Sequence, residues 1–207
     1  MFIKKKIKCP YCDNILKKKP LKKTKCIFCG KYIFVRNKKL VTEERVNIID
    51  ELKRFNFTDN QYKESEKILN KRFGHKPNYN DVIWHLCNKE IIENRNDYDI
   101  LRLLYYKMAQ FLNKRGKEFF HLLQQSKKME LLYFKKMGMD EVEIISCYCS
   151  FCQKLNGKIF KINDALKQMP LPHKECTNIL YDKKRGFCTC SYNFSNEIIR
   201  ESREKYG

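Results

Sequence analysis

No run of roughly eighteen apolar residues occurs in the 207-residue chain, so no transmembrane helix is expected. The opening Met-Phe-Ile-Lys-Lys-Lys lacks the apolar core of a secretory signal, which makes the cytoplasm the expected compartment. Glycine and proline are scarce, 7 and 5 residues, while 43% of the chain is hydrophobic and 33% charged. That balance excludes low-complexity and collagen-like chains and describes a folded protein. Only four histidines are present. No H-E-x-x-H, nucleophile elbow, phosphate loop or paired-carboxylate motif occurs, so no catalytic residue is assigned. Acid is missing from one region above all: residues 1–40 hold fourteen Lys and Arg against the single acid Asp13.

Cysteine, by contrast, is abundant. There are eleven, and in a reducing compartment paired spacing means metal rather than disulfides. Cys9, Cys12, Cys26 and Cys29 form C-x2-C-x13-C-x2-C. Two thiolates three positions apart reach one tetrahedral ion at about 2.3 Å, and four thiolates close the site as a structural zinc. Gly30 stands where a knuckle turns into the next strand and suits a positive φ. A second set lies near the C-terminus. Its clearest quartet is Cys149, Cys152, His173 and Cys176 around a second zinc ion, with Cys188 or Cys190 as alternative ligands and Cys147 close by. Cys188 and Cys190 alternate on an expected strand and so share one face.

The formal charge of +20 drops only to about +17 when both zinc sites are counted with their thiolates. A net +13 belongs to residues 1–40, and a field of one sign attracts a polyanion, most commonly nucleic acid. Lys17, Lys18, Lys19, Lys22, Lys23 and Lys25 lie between the two cysteine pairs and are the expected nucleic-acid contacts. Tyr11, Phe28 and Tyr32 are close enough to stack on bases, although aromatics beside a knuckle more often form its miniature core.

The expected fold class is α+β, mainly α. It comprises an N-terminal β zinc ribbon over 1–39, a helical domain over 40–96, and over 97–207 a long helix or helix pair followed by a small zinc-stapled α+β module. Segments 2–8 and 31–36 read as ribbon strands and Asn37-Lys38-Lys39 as a linker. Helices are expected from Thr42, which serves as N-cap, from Thr58-Asp59 to a stop at Gly74, and after Asn80. From Asp97 a 3.6-residue apolar period runs to Met137, either as one bent helix or as two hinged at Arg115-Gly116. A strand over 142–146, a short helix over 163–168 and a tail helix over 195–205 complete the reading.

The C-terminal part carries Cys149, Cys152, Leu155, Gly157, Lys158, Phe160, Pro170, Pro172, His173 and Cys176 in an order that resembles the Mu F-like phage head-morphogenesis (minor head protein) family. The resemblance covers roughly residues 98–192. It implies a phage or bacterial origin and a role in head assembly through a phage or host protein partner. In this chain the ending is stretched, with eleven residues between Cys176 and Cys188, and a generic zinc ribbon precedes it.

The favoured function is a non-enzymatic, zinc-binding protein of bacterial or phage origin that binds nucleic acid through its basic ribbon. The alternative is a phage head-morphogenesis protein acting through protein contacts. A zinc-stapled nuclease is the second alternative.

Overall fold

A computed structural model describes residues 6–146, 149–181 and 183–194. Among these residues are seven helices and two three-stranded sheets, an α+β fold that is mainly helical. None of these helices is long and apolar enough to cross a membrane. The chain divides into two compact units, 1–86 and 87–207, with the boundary inside one helix.

The first unit begins with the ribbon. Strands β1 (Thr24–Lys25), β2 (Tyr32–Arg36) and β3 (Lys39–Val41) pair antiparallel in the order β1-β2-β3. Of the expected strand over 2–8, residues 2–5 lie outside the described residues, and within 6–8 Lys8 forms an isolated bridge with Ile15. The expected linker at 37–39 is corrected. Arg36 pairs with Lys39, so Asn37 and Lys38 are the two-residue turn of a hairpin. Both have positive φ, 48° and 60°, as the tight turn that matches strand twist requires. Leu40 thereby packs against the cysteine-lined ribbon core around Cys9, Cys26 and Ile33.

Helix α1 (Glu43–Phe55) follows at once, with Thr42 accepting the Arg45 N–H as N-cap and acids in its first turn. It packs on β2, and the Tyr11 hydroxyl accepts the Glu43 N–H at 2.7 Å, which ties the first knuckle to the helix start. Helix α2 (Asp59–Phe73) opens with a full capping box between Thr58 and Gln61 and closes on Gly74 at φ 73°. Asn78 Oδ1 accepts the N–H groups of Asn80 and Asp81 at the start of α3 (Tyr79–Glu93), two residues earlier than the expected onset after Asn80.

The second unit is built on a helix pair. Asp97 caps α4 (Tyr98–Asn113), and α5 (Phe120–Lys136) packs along it. Gly116 at φ 64° lies in the turn between them, so the apolar stretch is two helices and not one. Sheet order is β5-β4-β6, antiparallel throughout: β4 (Glu141–Ile145) is central, flanked by β5 (Ile159–Lys161) and β6 (Ser191–Phe194). The one-turn helix α6 (Ser150–Gln153) follows β4, and α7 (Ile162–Gln168) follows β5 and packs on α5. Val142, Ile144, Ile162, Leu171 and Tyr192 form the core, and five cysteines belong to the same buried cluster. Cys188 and Cys190 directly precede β6 rather than lying in a strand. Cys147 and the expected tail helix over 195–205 lie outside the described residues.

Candidate metal centres

The two knuckles of the ribbon are built alike. In the first, the Asp13 N–H donates to the Cys9 carbonyl at 3.0 Å; in the second, the Gly30 N–H donates to the Cys26 carbonyl at 2.9 Å. Each turn is therefore closed four residues after its first cysteine, by a residue at positive φ, 55° for Asp13 and 70° for Gly30. Glycine reaches that conformation without strain, and a short polar residue such as Asp tolerates it. These turns bring Cys9, Cys12, Cys26 and Cys29 together, with their sulfurs all within 4.8 Å of one another.

Backbone N–H groups point at these sulfurs, an arrangement that favours the thiolate, the form that binds metal. The N–H groups of Cys29 and Phe28 lower Cys26 to about 7. The Asn14 N–H and side-chain amide lower Cys12. Burial dominates at Cys9 and pushes it up to about 11. All four expected ligands of the first site thus converge on a cluster that can hold one metal ion.

Among the described residues the second centre has five sulfurs. Cys149, Cys152 and Cys176 form one mutually close group, Cys152, Cys188 and Cys190 another, and Cys152 is common to both. All five are buried. Cys149 stands at the N-terminus of α6 and Cys152 within it, as a C-x2-C knuckle places them. Burial opposes ionisation of Cys149, but the N–H groups of Thr177 and Cys152 outweigh it and lower the thiol to about 6. Cys188 is lowered to about 5, chiefly by the Cys190 thiol and further by the N–H groups of His173 and Cys190. Cys152, at the centre, is raised by burial.

His173 does not join either group, so of the expected quartet the three cysteines Cys149, Cys152 and Cys176 are brought together. Its Nδ1 accepts the Glu175 N–H at 3.2 Å, and its ring stacks on Phe151 with centroids 5.9 Å apart. The contribution of His173 to the cluster comes from its backbone, whose N–H reaches the Cys188 sulfur. Cys188 and Cys190, named above as alternatives, lie close to Cys152, in the group separate from Cys149 and Cys176.

Sequence reading missed what brings the Cys188 segment in. Phe187 is fully buried against Tyr106 and Phe119, with ring centroids 5.6 and 5.1 Å away, and so pins the loop to the α4–α5 pair. Its N–H donates to the Asn178 carbonyl at 2.6 Å, and the Asn178 side-chain amide donates back to the Phe187 carbonyl at 3.1 Å. Gly186 passes so close to the Cys176 carbonyl that a Cβ at that position would overlap it. The only sequence signal was the small residue and the aromatic standing directly before C-x-C.

The six lysines between the ribbon knuckles are all exposed. Lys23 Nζ sits 4.5 Å from the centre of the Tyr32 ring and 4.9 Å from that of Phe34. Tyr11 packs on the ribbon core, as expected for an aromatic beside a knuckle. Phe28 and Tyr32 do not; they are 54% and 51% exposed.

No profile of a known protein family matches the chain, and no curated protein or solved structure matches it significantly.

Proposed function

We propose that this is a non-enzymatic nucleic-acid-binding protein whose basic ribbon is held in shape by zinc, with a second zinc ion stapling the C-terminal module. One observation carries the reading: a loop with six exposed lysines has both ends anchored in a four-sulfur cluster. The cluster suits zinc because four thiolates make a closed tetrahedral site without redox chemistry. Cys9, Cys12, Cys26 and Cys29 would hold the first ion. Cys149, Cys152, Cys176 and either Cys188 or Cys190 would hold the second. Closed sites of this kind supply rigidity rather than an activated water.

Lys17, Lys18, Lys19, Lys22, Lys23 and Lys25 then act as a pre-ordered set of phosphate contacts. About six such contacts make affinity fall roughly a thousandfold between 50 and 200 mM salt. The test is binding of the zinc-loaded chain to labelled nucleic acid across that range, beside a full-length variant with the six lysines changed to glutamine. A steep salt slope that flattens in the variant supports the reading. Absence of binding at low salt removes it. Defined multimers without nucleic-acid binding would instead favour the head-morphogenesis reading drawn from the C-terminal resemblance. Metal-dependent strand cleavage would favour a nuclease.

A further inference from the structure

Beside the lysine loop lies a groove of about 640 Å³, within the usual range of roughly 300–1,000 Å³ for ligand clefts. Leu16, Leu21, Ile27 and Ile33 give it an aliphatic lining, and loop lysines line it as well. Leu21 is 89% and Ile27 76% exposed, and Phe28, one residue on, is a half-exposed ring. Lysine-rich loops do not by themselves need large apolar side chains in water, and clustered exposure of this kind marks a contact surface.

We infer that this groove receives an unstacked base of a single-stranded nucleic acid, while the surrounding lysines hold the flanking phosphates. The inference rests on the nucleic-acid reading above and narrows it to one substrate class. A duplex presents phosphates outward and keeps its base faces stacked. It satisfies the lysines but leaves Leu21 and Ile27 in water. A single strand offers both charge and free base faces, the combination that single-strand platforms exploit without reading sequence. The basic field also extends beyond the groove, through Lys31, Arg36, Lys38 and Lys39 on the same ribbon. That extent fits a long polyanion better than a short acidic peptide.

The test uses the full zinc-loaded chain with oligo(dT), the matching duplex and polyglutamate as probes. Leu21→Ser and Ile27→Ser are made together, and metal content is checked to show that the ribbon is intact. The single strand should bind roughly tenfold tighter than the duplex at equal salt. The double variant should lose most of that advantage, with duplex affinity and salt slope unchanged. Equal affinity for both strands, or a variant that weakens neither, overturns the inference and leaves the broader reading standing. Absence of binding to either nucleic acid at about 50 mM salt overturns both. Saturable binding of polyglutamate alone would do the same and assign the groove to an acidic protein.

Discussion

The sulfur of Cys9 lies 3.9 Å from that of Cys29, and the sulfur of Cys12 lies 3.9 Å from that of Cys26. Each cysteine of the first knuckle thus meets one of the second, across twenty and fourteen residues of chain. A tetrahedral ion with bonds of about 2.3 Å separates its ligands by about 3.8 Å, so these sulfurs already stand at ligand spacing.

Cys26→Ser should therefore remove one metal equivalent from the chain and leave the C-terminal equivalent in place. Without the ion the lysine loop loses its anchors, and trypsin should cut within residues 17–25 markedly faster than in the loaded protein. Elemental analysis and timed proteolysis check the two parts separately. Unchanged cleavage after metal loss would show that the ribbon stands without its ion.

At the second centre Cys152 is the sulfur shared by both groups, whereas the His173 ring is turned to Phe151 and the Glu175 N–H. Cys152→Ser should abolish metal at that site, and His173→Ala should retain it. Gly186→Ala forces the Cys188 segment away from the Cys176 carbonyl and should weaken metal retention without touching a ligand. Competition with a chelator would rank the three. Metal loss in His173→Ala would restore the histidine to the ligand set.

Within the second unit Lys127 Nζ donates to Glu130 Oε2 at 2.7 Å, with both side chains nearly buried. Glu130→Ala leaves an uncompensated buried ammonium and should cost about 3 kcal/mol in urea unfolding. Replacing both partners together, Lys127→Met with Glu130→Leu, should cost much less, because no charge is then left without its partner. Equal losses in the two variants would mean that packing, not charge, is at stake.

Glu118 accepts the N–H groups of Phe119 and Phe120 at 3.0 and 2.9 Å at the start of α5. The Phe120 N–H lowers its pKa from the ordinary value of 4.5, with smaller help from Phe119 and Arg185. A carboxylate lowered in the folded state stabilises fully above its unfolded value, and that contribution is lost as pH falls through the folded one. Glu118→Gln should thus lower stability by roughly 0.5 kcal/mol at neutral pH, a small figure because the side chain is largely exposed. The difference should shrink below about pH 4.5 and vanish in stronger acid. Thermal melts at several pH values measure it, and a difference independent of pH would exclude the carboxylate as its source.

Features set by a few neighbouring residues were legible in the sequence alone. The helix start at Thr58, the stop at Gly74, Asp97 and the C-x2-C knuckles all act over three or four positions, where helix and turn geometry leaves few choices. Contacts between distant segments were not. Asn37-Lys38-Lys39 reads as a linker until Arg36 pairs with Lys39, and the aromatics Phe28 and Tyr32 read as core until the ribbon folds and leaves them half exposed. The make-up of the second cysteine cluster was decided in the same way. His173 and the thiols at 188 and 190 are all competent by chemistry. Phe187 in its pocket between α4 and α5, with Gly186 against Cys176, brings the thiols in and leaves the imidazole outside. Residue type determined which side chains can bind a metal; only long-range packing decided which of them meet, because convergence on one point depends on where each segment is held.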